Sequence, residues 1–141
     1  EMRVENWESK LNTVIHNTVH NKDKFIRGKN DCGTFVIECI EAITGKKVFN
    51  KKYNSLKDFK IILKKIKSKD LLSLALKIAK ENNFKEVDIS RVQRGDVLYY
   101  VDTADLDGTL GVCIGSSTMF NWKDGMQLIP NNKCKIAWRI E

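Results

Sequence analysis

The spacing of the hydrophobic residues changes at Asn83, and that change divides the chain into two kinds of structure. Before it, apolar side chains recur every three or four residues, the spacing that lines one face of a helix. After it, they fall in short runs or alternate, as strands do. Helices first and strands afterwards predict an α+β fold, with N-terminal helices packed on an antiparallel sheet. A length of 141 residues suits one domain, with a helical half over 1–83 and a sheet half over 84–141.

Four helices are expected. Val4, Trp7, Leu11, Val14, Ile15 and Val19 mark the first, within 3–22. The second opens at Cys32, carries Phe35, Val36, Cys39, Ile40 and Ile43 on one stripe, and stops at Gly45, a C-cap residue. Ser55 caps the third, with Asp58 completing a variant of the capping box. Leu71, Leu74, Ala75 and Ile78 mark the fourth. These last two form an αα-hairpin over 55–82, inserted between the halves as a lid or a partner surface. Phe84, Val87 and Ile89 sit near a strand pattern. Arg94-Gly95-Asp96 reads as a turn into a strand at 97–101, followed by strands at 110–114, 118–122, 126–129 and 135–140. Turns are expected at Asp107-Gly108 and at Lys123-Asp124-Gly125, and Pro130 ends its strand.

Composition narrows the function classes. The net charge is +7, but 20 of the 25 basic residues are lysines and five are arginines. Arginine clusters with interleaved aromatics, the equipment that reads phosphates and bases, are missing. The lysines read as solvated helix faces rather than a nucleic-acid footprint; binding of an anion or nucleic acid through the Lys-rich helices 55–82 is the alternative. No apolar run approaches the ~20 residues of a membrane span, and no signal peptide is visible. The four cysteines contain no Cys-x-x-Cys pair and lie scattered from the histidines, so neither a zinc site nor any cofactor is expected. His16 and His20, four residues apart, could share a helix face and hold a metal, but no acidic third ligand of obvious design stands near; they read as surface or half-buried histidines.

The stretch from Arg27 to Val36 breaks from a loop into the second helix. Gly28 permits a tight turn, and Asn30 or Asp31 can cap the free N–H groups. Cys32 then lies in the first turn, where the helix dipole is expected to lower its pKa. Cys39, two turns on, reads as a core thiol.

Asp31-Cys32-Gly33-Thr34-Phe35-Val36 resembles the Asp-Cys-Ser-Gly-Phe-Val signature of the NlpC-like branch of papain-fold cysteine peptidases. Arg94-Gly95-Asp96-Val97-Leu98-Tyr99-Tyr100 resembles that family's Gly-Asp-Leu-Val-Phe-Phe strand. Thr109-Leu110-Gly111-Val112-Cys113-Ile114-Gly115 resembles its His-Val-Gly-Ile-Tyr-Leu-Gly strand. A closer likeness, through Trp7, Gly28, Tyr53 and Ala137-Trp138-Arg139 among others, is to an uncharacterised, largely phage-encoded relative. The resemblance implies a papain-like NlpC-type fold and an ancestry among enzymes that cut amide bonds in peptidoglycan stem peptides. In such enzymes a cysteine attacks the carbonyl, a histidine takes its proton and a polar residue orients the histidine.

Carried over by position, Cys32 is the nucleophile and Asn121 the orienting residue. Thr109 stands where the histidine belongs. A threonine hydroxyl cannot act as a base near neutral pH. Asn30 replaces a tyrosine common before Asp-Cys and could offer an oxyanion donor. His16, His20, Asp105 and Asp107 are the candidate substitutes for the base. The expectation is a catalytically degenerate module of a virion or the host cytoplasm, either structural or binding peptidoglycan or a virion protein. The alternative is an active cysteine amidase or peptidase using Cys32.

Overall fold

The computed structural model describes residues 3–20, 25–101, 108–122 and 124–141. It is α+β: helices α1 (Trp7–Val19), α2 (Cys32–Thr44), α3 (Leu56–Lys65) and α4 (Leu71–Glu81) precede strands β1 (Lys85–Val87), β2 (Val97–Val101), β3 (Gly108–Cys113), β4 (Ser117–Trp122), β5 (Gly125–Pro130) and β6 (Ile136–Arg139). Every pairing is antiparallel, in the order β1-β6-β2-β3-β4-β5. The strand formed last in sequence thus lies between the first two.

Local chemistry sets most boundaries. The first helix starts later than its apolar stripe suggests. Asn6, at φ +61°, holds a left-handed conformation that excludes a helical turn before Trp7. The residues ahead of it serve tertiary contacts instead: the Val4 N–H donates to the Ile43 carbonyl at 2.8 Å, and Arg3 stacks over Trp7. Gly45 ends α2 at φ +76°, the conformation that favours glycine. Ser55 caps α3 by accepting from the Asp58 N–H, while the Asp58 carboxylate reaches back to the Asn54 N–H, one residue earlier than a standard capping box. Asp70 caps α4 through the Ser73 N–H. Ile89 does not extend β1. It enters a short 3-10 turn, Ile89–Arg91, which Asp88 caps through the Ser90 N–H. Of the expected turn residues, Asp107 and Lys123 lie outside the described residues, and Gly108 and Gly125 open strands.

Alternation along the strands builds a core on each face of the sheet. Val97 and Tyr99 of β2, Leu110 and Val112 of β3 and Met119 of β4 join the main core with Leu11, Phe35, Ile40 and Ile43. Phe59, Leu63, Leu71, Leu74 and Ala79 belong to the same core, so α3 and α4 pack their apolar faces into it. Leu98, Cys113, Phe120, Cys134 and Ala137 form a second cluster on the other face.

The Arg94-Gly95-Asp96 turn is built inward. Asp96 is fully buried; its carboxylate accepts from Arg139 Nε and from the Gln93 N–H, both at 2.8 Å. The pair joins the entry of β2 to the end of β6.

Candidate functional site

Asp31 organises the start of α2. Its side chain accepts from the Thr34 N–H at 2.8 Å, and the Thr34 hydroxyl accepts from the Asp31 N–H at 2.9 Å, a reciprocal capping box. The other carboxylate oxygen accepts from the Gly28 N–H at 2.7 Å and the Tyr53 hydroxyl at 2.9 Å. Gly28 is required for this: it sits at φ +91°, and a Cβ there would come within 1.8 Å of the Tyr53 carbonyl oxygen. Asp31 is therefore buried with three donors, the satisfaction that a carboxylate in a core needs. Tyr53 is held protonated: burial first, and then the Asp31 charge, push its phenol well above the usual range.

Cys32 follows directly and is only 8% exposed. The structure overturns the expectation of a lowered pKa. Burial raises the thiol above its ordinary value, and the Asp31 charge adds to the rise. The helix terminus that was to stabilise a thiolate is already engaged by Asp31. The Thr109 hydroxyl, the Leu110 N–H and Arg27 act in the opposite direction without reversing the shift.

Thr109 is thus brought beside Cys32. It is 4% exposed, and its hydroxyl oxygen is the one buried side-chain polar atom among the described residues without a hydrogen bond in good geometry. It lies close enough to favour the thiolate electrostatically, yet it makes no aligned bond. Asn121, on β4, is buried too. Its Nδ2 donates to Asn30 Oδ1 at 2.8 Å and to the Asp31 carbonyl at 3.3 Å. Asn121 therefore orients the loop before the cysteine. The Asn30 amide oxygen is engaged there, and its backbone closes a bridge with Ile26.

No imidazole joins this group among the described residues. The His16 and His20 rings lie tilted against each other, centres 4.3 Å apart, exposed at the C-terminal end of α1. Neither figures in the electrostatics of Cys32. Asp105 and Asp107 lie outside the described residues. Among the described residues no three His, Cys, Asp or Glu side chains converge as a metal site would require. No helix among them is long and apolar enough to cross a membrane. All four cysteines are free and buried, and burial raises the pKa of each.

An apolar cavity of about 70 Å³ lies behind the site, under α2, α3 and α4. Gly33, Tyr53 and Leu110 line it, and Cys32 does not. Sequence reasoning missed the Tyr53–Asp31 bond, whose partners are 22 residues apart. The signal available was a tyrosine set among the polar residues 50–54 of the connector.

The sequence matches over residues 2–140 the family described as Domain of unknown function (DUF6950). No curated protein matches it.

Proposed function

This chain belongs to the DUF6950 family; from the motif resemblance and the surroundings of Cys32, we propose that it is a catalytically degenerate papain-fold domain of the NlpC-like type. In this reading it is a phage or virion-associated module that holds a cell-wall peptide or a virion protein without cleaving it. One observation carries the reading: Cys32 is a buried thiol of raised pKa, and the group beside it is Thr109, a hydroxyl with no capacity to take a proton at neutral pH. A cysteine nucleophile needs a thiolate or a base that makes one. Asn121, which would steady a histidine in an active relative, here steadies Asn30 and Asp31. Asp31 and Asn121 keep the start of α2 fixed against β4, which supports a structural or binding role rather than a reaction.

The test uses purified protein with peptidoglycan fragments and with insoluble peptidoglycan. The expected result is no release of new amino groups, with retention on the insoluble wall or on a virion partner unchanged by Cys32→Ala. Cleavage that Cys32→Ala abolishes would overturn the proposal and restore the cysteine amidase. Thr109→His sharpens the test. An imidazole beside the thiol should raise its alkylation rate near neutral pH; no change would mean that Thr109 does not occupy the base position.

A further inference from the structure

The charge of the molecule is concentrated in one place. Residues 51–80 hold ten lysines against two aspartates, a net +8, whereas the remaining residues hold 15 basic and 16 acidic side chains, a net −1. All ten lysines are exposed, and among the described residues none is in an ion pair. Among the described residues the two aspartates form no ion pair with these lysines. Asp58 and Asp70 are turned to backbone N–H groups at the starts of α3 and α4. Both helices bury their apolar faces in the core through Phe59, Leu63, Leu71 and Leu74, so the lysines are left facing solvent.

Two large aliphatic side chains stand exposed on the same helices: Ile61 at 46% and Leu76 at 43%. Ile61 is a helical neighbour of Lys57, Lys64 and Lys65, and Leu76 of Lys80. A polybasic face carrying isolated aliphatics suits a surface with phosphate charge outside and hydrocarbon beneath. A nucleic-acid backbone offers Ile61 and Leu76 nothing to enter. The segment has no arginine, and its aromatic residues Tyr53 and Phe59 are buried, so a base-stacking platform is missing as well.

We propose that the outward face of α3 and α4 docks the domain on an anionic phospholipid surface, the lysines lying at headgroup level and Ile61 and Leu76 entering the layer below. The surface is separate from Cys32 and does not depend on what that residue does.

Flotation with vesicles tests it. The protein should float with vesicles of phosphatidylcholine and phosphatidylglycerol, stay behind with phosphatidylcholine alone, and detach steeply as salt is raised. Lys57→Glu with Lys64→Glu should weaken binding by roughly tenfold or more, since two charges are reversed within reach of the surface. Ile61→Ser with Leu76→Ser should weaken it by about threefold or more and leave the salt dependence unchanged. Circular dichroism melts of these surface variants should match the parent, and Cys32→Ala should float normally. Failure to float with the mixed vesicles at physiological salt overturns the proposal. So does indifference to the serine pair together with equal affinity for duplex DNA, which would mark the face as a general polyanion binder.

Discussion

Cys32 stands at the positive end of a helix and still holds its proton more tightly than a thiol in water. Burial is the larger influence, and the neighbouring carboxylate reinforces it. Iodoacetamide labelling of the folded protein followed by mass spectrometry should therefore find Cys32 labelling still rising beyond pH 9.0, the ordinary thiol value. A plateau reached near neutral pH would show a thiolate and refute this account. Thr109 gives a complementary prediction. Its hydroxyl is buried without an aligned partner, so Thr109→Val removes a desolvated group and loses no bond. Urea unfolding should show stability unchanged or raised by about 1 kcal/mol, against the loss expected of a bonded hydroxyl. At this scale the sequence is informative about neighbours and silent about environment. The family resemblance, carried over by position, pairs Thr109 with Cys32, and the two side chains are neighbours in the structure. Nothing local to Asp31-Cys32-Gly33 says that both side chains are closed from water, since that depends on β3 and β4.

The helix starts show how differently two caps can behave. Ser55 caps α3 at a partly exposed position with a single bond to the Asp58 N–H. Ser55→Ala should lower stability by about 1 kcal/mol. Asp31 caps α2 inside the molecule and also holds Gly28 and Tyr53. Asp31→Ala should cost about 3 kcal/mol, because the cap is lost and the buried Tyr53 hydroxyl is stranded with it. Urea unfolding of the two variants measures the contrast; equal losses would mean that the Tyr53 bond contributes nothing. Both caps are legible in the sequence, because donor and acceptor lie three residues apart, and so is the Gly45 stop. The late start of α1 is not legible. The stripe from Val4 onward reads as helix, but Val4 is drawn to the Ile43 carbonyl and Asn6 turns left-handed to allow it. Tertiary bonding overrides the local period there, as it does at Ile89, where Asp88 caps a turn in place of a longer strand.

Over the whole molecule, the Asp96–Arg139 pair joins elements 43 residues apart. Asp96 has no exposure, while Arg139 is about one-fifth exposed. Arg139→Ala leaves a buried carboxylate without its counter-charge and should cost about 3–5 kcal/mol, read from the urea midpoint. Charge also sets the alkaline limit. The four thiols and the Tyr53 phenol all have raised pKa values in the fold. Below the ordinary thiol value of 9.0 both folded and unfolded chains keep their thiol protons and the stability is fully present. Above it the unfolded chain releases protons that the folded chain retains, so stability is lost as pH rises from there through the folded values. The melting temperature should fall between about pH 9 and about pH 10.5, with no matching fall between about pH 7 and about pH 8.5. The class of the fold and most of its strands are legible in the sequence, because each strand carries its own pattern. Their order is not, because nothing in 136–139 announces that it will lie between 85–87 and 97–101.

That order matters while the chain is being made. A ribosome delivers β1 and β2 well before the strand that separates them, and the two are not paired with each other in the finished sheet. The helices can assemble early, with β1 and the β6 side of β2 still lacking their shared partner. Only when β6 emerges does Arg139 reach Asp96 and close the gap. A nascent chain stalled short of Ile136 would expose two unsatisfied strand edges, the kind of surface on which neighbouring nascent chains can aggregate.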